Sequence, residues 1–155
     1  MTPIAAYAEP GSLPPSEALR LARLLALPPD EGTDDVALAQ RITAGLPVRS
    51  VAALAALLGN AAVVGPVVPE ATLRRIKKAR KPLSREHSER LYELSRVVDA
   101  VGRAFHGDDE RVRAFMTRPH PLLQGLSPLD LARSNSAGAE AVLNLVRRAE
   151  AGVAL

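Results

Sequence analysis

Apolar residues recur along most of this chain at helical spacing, and Gly, Pro and capping residues cut them into segments. Ser16 precedes Leu19, Leu21, Leu24, Leu25 and Leu27, which predicts a capped helix stopped by Pro28-Pro29. Thr33-Asp34-Asp35 opens a second, with Val36, Ala39 and Ile42 on one face and Gly45 at its end. Ser50 opens a third, apolar nearly all round (Val51, Leu54, Leu57, Leu58), closed by Gly59 and therefore expected to be central. Residues 60–68 read ambiguously: Asn60 to Val64 could be helical, Gly65-Pro66 interrupts, and Val67-Val68 looks extended. Pro69 suits the first position of a helix running to about Arg80, with Leu73 and Ile76 inward and Pro82 ending it. Ser84 caps the longest segment, whose stripe Leu91, Leu94, Val98, Val101 and Phe105 forms a seam suited to burial between helices or across a dimer axis.

After Gly107, Asp108 caps a short helix carrying Val112, Phe115 and Met116. A turn-rich stretch from Arg118 to Leu126 follows, and Ser127-Pro128 starts another short helix with Asp130 in its first turn. The last helix spans roughly 137–151, with Val142, Leu145, Val146 and Ala149 inward and Gly152 closing it. Residues 1–15 hold Pro3, Pro10, Gly11, Pro14 and Pro15 without apolar periodicity, so a flexible tail is expected there.

Composition sharpens this. Ala (27) and Leu (23) dominate the apolar residues while Ile numbers three, which favours helix over strand and predicts an all-α fold. With 155 residues the chain fits one domain or two small ones. No Cys is present, which removes disulfides, zinc-thiolate sites and thiol nucleophiles. His87, His106 and His120 match no compact ligand spacing, so neither a metal nor a cofactor is expected. No apolar run approaches the ~20 residues of a membrane span, nor does the N-terminus resemble an export signal. Cytoplasmic residence and no membrane partner are the expectations.

Charge is uneven. Residues 51–96 hold nine basic and four acidic groups, net +5, and most of the excess lies between Arg74 and Lys81. Six cations in eight residues exceed what a helix C-terminus requires, so phosphate neutralisation competes with a plain solvated face. The paired carboxylates Asp34-Asp35 and Asp108-Asp109 fall at helix starts, where capping explains them. Without a Gly-rich phosphate loop or nucleophile elbow, no enzyme is expected. The stretch 118–131 places Leu122, Leu123 and Leu126 in a Pro-rich loop, where apolar side chains either pack beneath the loop or meet a partner.

Three motifs then line up. Val68-Pro69-Glu70-Ala71-Thr72-Leu73-Arg74-Arg75 looks like a helix-turn-helix segment, and Leu83-Ser84-Arg85-Glu86-His87-Ser88-Glu89-Arg90-Leu91 resembles an "LSxxESxRL" helix opening. Phe115-Met116, Arg118-Pro119-His120-Pro121-Leu122-Leu123-Gln124-Gly125 and Ser127-Pro128-Leu129-Asp130 resemble a "WLxxPxxxLxGxxPLD" signature, completed by Gly138, Val142, Leu145, Arg148 and Glu150-Ala151-Gly152. Together, over roughly residues 46–155, these are similar to the Xre/MbcA/ParS antitoxin family, whose cognate toxins have the RES fold.

The resemblance implies an N-terminal Xre-like helix-turn-helix domain (16–83), a long connecting helix (84–106) and a small C-terminal toxin-binding domain (107–155). It implies a protein that obstructs the cleft where a RES toxin consumes NAD, forms a homodimer and represses its own operon by binding operator DNA. Carried onto this chain, the toxin-facing residues are Arg118, Pro119, His120, Leu122, Gly125, Ser127, Asp130 and Arg148 with the tail Gly152, Val153 and Leu155. The DNA-facing residues are Thr72, Arg74, Arg75, Lys77 and Lys78, while Pro128, Leu129, Val142 and Leu145 should pack. Gly65-Pro66 predicts that the first helix of the helix-turn-helix is short or broken. A stand-alone transcription regulator and a helical adaptor without DNA binding are the alternatives.

Overall fold

The structure, a computed structural model, describes residues 3–28 and 33–152. Among these the chain is helical, and its one extended pairing is the isolated bridge Val64–Val68. The α-helices are α1 (Glu17–Leu24), α2 (Asp35–Ala44), α3 (Val48–Leu58), α4 (Asn60–Val63), α5 (Glu70–Ala79), α6 (Arg85–Ala104), α7 (Asp109–Thr117), α8 (Pro128–Ser134) and α9 (Ser136–Glu150). They fall into two compact units, residues 14–95 and residues 1–13 with 96–155.

In the unit 14–95, the start signals act through side-chain caps. Ser16 accepts the Leu19 N–H and Asp34 the Ala37 N–H, satisfying donors that the first helical turn leaves unpaired. Ser50 does something else. The helix it was expected to open begins two residues earlier behind Pro47, and the buried Ser50 hydroxyl donates to the Leu25 carbonyl instead. The α3 helix buries Val51, Leu54 and Leu57 but exposes Ala52 and Ala56, so it is amphipathic where an all-round apolar helix was expected.

Gly45 ends α2 at φ +104°, and a β-carbon there would lie 2.2 Å from the Leu83 carbonyl oxygen. That closeness lets Leu83 N–H donate to the Leu46 carbonyl at 2.9 Å, while Leu46 N–H donates to the Ser88 hydroxyl at 2.8 Å. The α4 helix is a single turn, ended before Gly65 (φ +109°), in line with the interruption expected from Gly65-Pro66. The α5 helix stops at Arg80 in the left-handed region, where Lys81 N–H bonds back to the Ile76 carbonyl. The helix therefore ends before Pro82 can act. Ser84 caps α6 as expected, accepting the His87 N–H.

Of the expected seam, Leu91 and Leu94 in this unit and Val98 and Val101 in the other are 0% exposed, so they offer no free surface to a second copy, while Phe105 is half-buried.

In the other unit the expected tail is folded. Residues 3–8 and 10–12 form two 3-10 turns. On such a turn residues i and i+3 eclipse, which places Ile4 and Tyr7 on one side, both buried. The Tyr7 hydroxyl donates to buried Asp99 at 2.6 Å, and Arg103 pairs with the other carboxylate oxygen at 3.3 Å. Gly107 (φ +74°) admits the segment, since a β-carbon there would sit 2.6 Å from the Ala8 nitrogen and the Ile4 oxygen. Tyr7→Phe should remove a charge-assisted bond and destabilise this unit by about 1.5–3 kcal/mol, seen as faster amide exchange at residues 99–107. Unchanged exchange there would show the bond to be dispensable.

The rest of this unit is a helical corner. The α9 helix packs on α8 and on the 121–123 turn, and α7 packs on α8. Pro128, Leu129, Val142 and Leu145 are buried, as expected of packing residues.

Candidate functional site: a rigid loop with exposed leucines

The site begins where α7 ends. Arg118 is extended (φ −88°, ψ 139°), the conformation that a following Pro imposes, so the chain leaves the helix at Pro119. The loop then closes on itself. His120 N–H donates to the Leu126 carbonyl, and Gly125 N–H donates back to the His120 carbonyl, each at 3.0 Å. Within the ring, Leu123 N–H also bonds the His120 carbonyl, and His120 Nδ1 accepts the Leu122 N–H at 3.2 Å. Gln124 (φ +56°) and Gly125 (φ +79°) make the tight return.

Aromatic contacts hold the loop from α7. Phe115 lies edge-on to the His120 ring at 6.0 Å and 5.5 Å from Phe105, over which Arg111 stacks at 5.1 Å. His120 is thus a positioning residue for the loop.

The three loop leucines divide. Leu123 is buried and anchors the turn, whereas Leu122 is 51% and Leu126 49% exposed. Pro119, Pro121 and Gly125 are exposed beside them in sequence. The loop is fixed by backbone bonds and proline, and it shows two large apolar side chains to solvent. Leu126, one of the three apolar residues that the sequence marks in this loop, is not among the toxin-facing residues that the resemblance implies.

The polar candidates also divide. Arg118 and Arg148 are exposed and form no ion pair among the described residues. Ser127 is buried and its hydroxyl accepts the Asp130 N–H at 3.1 Å, which makes it the α8 cap rather than a contact surface. Asp130 is exposed but pairs with Arg133. Arg148 and Gly152 (φ +100°) stand on and just beyond α9, while Val153 and Leu155 lie outside the described residues.

In the unit 14–95, Arg74, Arg75, Lys77 and Lys78 are exposed on α5, with Thr72 half-buried. Arg74 pairs with Glu70 at 3.4 Å; Arg75, Lys77 and Lys78 have no ion-pair partner among the described residues. No group of three or more acidic or His side chains able to hold a metal ion occurs among the described residues. No single helix there is long and apolar enough to cross a membrane.

Residues 100–152 match the family model described as the antitoxin Xre/MbcA/ParS C-terminal toxin-binding domain. That span holds α7, the closed loop, α8 and α9. No curated protein matches the chain.

Proposed function

We propose that this chain, whose residues 100–152 match the toxin-binding domain model of the Xre/MbcA/ParS antitoxins, neutralises a RES-fold toxin by filling the cleft where the toxin consumes NAD. The observation that carries the reading is the closed loop 118–126 inside the matched span, with Leu122 and Leu126 exposed. Apolar anchors held in advance lose little freedom on binding, and a standard interface of roughly 1,600 Å² is within reach of a face of this size. Arg118 and Arg148, unpaired in the free protein, supply the charge that meets a site made for a dinucleotide. Inhibition then needs occlusion alone and no catalysis by this chain. Its place of action is the cytoplasm, and it takes neither metal nor cofactor.

The exposed cations of α5 support the second half of the proposal, repression of its own operon through operator DNA as a homodimer. Since the α6 seam is internal, the dimer contact lies elsewhere on the chain.

Titration calorimetry with the product of the neighbouring open reading frame, the candidate toxin, tests the site. Arg118→Ala should weaken the complex about tenfold, near 1.4 kcal/mol, without changing the antitoxin's own melting. Equal affinity for wild type and variant would remove Arg118 from the interface.

A further inference from the structure

Four cations share one cleft in the unit 14–95, and no carboxylate lines it. The cleft, about 430 Å³, is bounded by Pro47 and Pro82 and carries Arg49 from α3 and Lys77, Arg80 and Lys81 from the end of α5. Local helix electrostatics explain only part of this. Cations near the end of α5 favour its dipole, but Arg49 lies in the first turn of α3, where a positive charge is disfavoured. Arg49 is also held in place: its Nε donates to the Ala26 carbonyl at 2.8 Å, leaving the guanidinium's two amino groups for another acceptor. Arg80 and Lys81 sit on the fixed left-handed turn that closes α5. Lys77, Arg80 and Lys81 have no ion-pair partner among the described residues.

Like charges gathered in a concave site focus their field, so an anion there relieves repulsion that nothing else in the lining offsets. The kind of anion follows from continuity. Lys77 lies one helical turn after Arg74 and itself lines the cleft, so the cationic row on the outer face of α5 runs on into it. A DNA backbone presents phosphates in just such a regular series, whereas a lone small anion would engage the cleft without the row.

We infer that this cleft seats a backbone phosphate of the duplex bound by α5, an anchorage that rests on the DNA-binding half of the proposed function and adds Arg49, Arg80 and Lys81 to it. The seat orients the duplex and is indifferent to base sequence.

The test is fluorescence anisotropy of the full chain with a labelled duplex from its own upstream region and a scrambled duplex, across a range of salt. Arg80→Gly combined with Lys81→Ala keeps the left-handed turn, which glycine adopts freely, and Arg49→Gln is an independent second variant. Both should weaken binding to the two duplexes by the same factor and make the log affinity–log salt slope shallower by about 0.9 for the phosphate released. An unchanged slope with wild-type affinity would overturn the cleft while leaving DNA binding by α5 intact. A wild-type chain that binds neither duplex at low salt would overturn both.

Discussion

Leu122→Asp combined with Leu126→Asp should abolish toxin neutralisation while leaving the antitoxin folded. Both side chains are about half exposed, so charged replacements remove little from the core, and stability should stay within about 0.5 kcal/mol of wild type. The ring of backbone bonds joining His120, Leu126 and Gly125 does not involve either side chain, so the loop keeps its shape. In the proposed complex the same change should be severe. An apolar anchor is lost at each position and a carboxylate must be desolvated without a partner, which together should cost well over 2 kcal/mol and weaken the complex more than thirtyfold. Calorimetry with the toxin reads the affinity, and thermal unfolding by circular dichroism reads the fold. Full neutralisation by the double variant would place the toxin contact elsewhere on the molecule.

Gly138→Ala should act in the opposite way, abolishing function by breaking the fold. Gly138 lies in the first turn of α9, its N–H held by the Asn135 side chain at 2.8 Å. A β-carbon there would come within 2.1 Å of the Leu131 carbonyl oxygen and 2.9 Å of its carbon. The obstacle is the backbone of α8, which cannot swing aside as a side-chain tip would. The α8–α9 corner must open, and it is against this corner that Leu129, Val142 and Leu145 are buried. We expect a loss of about 3 kcal/mol or more, at the upper end of overpacking penalties and a large fraction of a domain's stability. Gly11→Ala is the control, because a β-carbon at Gly11 meets nothing within 4 Å. Hydrogen exchange across α8 and α9 should rise sharply in the first variant and stay unchanged in the second; a native exchange pattern in Gly138→Ala would show that the corner yields more easily than its geometry implies.

How much of this was legible beforehand depended on how local the cause was. Ser16, Asp34, Ser84, Asp108 and Ser127 each cap the helix expected to follow, because a cap is decided by three or four neighbouring residues. Ser50 has the same local pattern, yet its hydroxyl is taken by Leu25, 25 residues away. The N-terminal segment is the larger miss. Its prolines disrupt helical periodicity, and what orders it is a bond between Tyr7 and Asp99 across 92 positions, which no window of sequence displays.

The candidate site followed the same rule. Prolines and Gly125 announced a fixed loop with unusual leucines, but which of them faced outward was set by tertiary packing: Leu123 turned in, Leu122 and Leu126 out. Ser127 and Asp130 were legible as a helix start as well as toxin-facing candidates, and the structure makes Ser127 the buried cap of α8 and ties Asp130, in its first turn, to Arg133. The cleft cations were visible as charge, but Arg49 joins Arg80 and Lys81 only through the folding of α3 beside α5.

The proposed disarming of an NAD-consuming toxin can be read directly in cells. The direct measurement is cellular NAD in cultures expressing the neighbouring open reading frame alone or together with this chain. NAD should fall and growth stop with the neighbour alone, and both should recover on co-expression with wild type but not with Leu122→Asp/Leu126→Asp. NAD that never falls, or that falls equally in both cultures, would contradict the proposal.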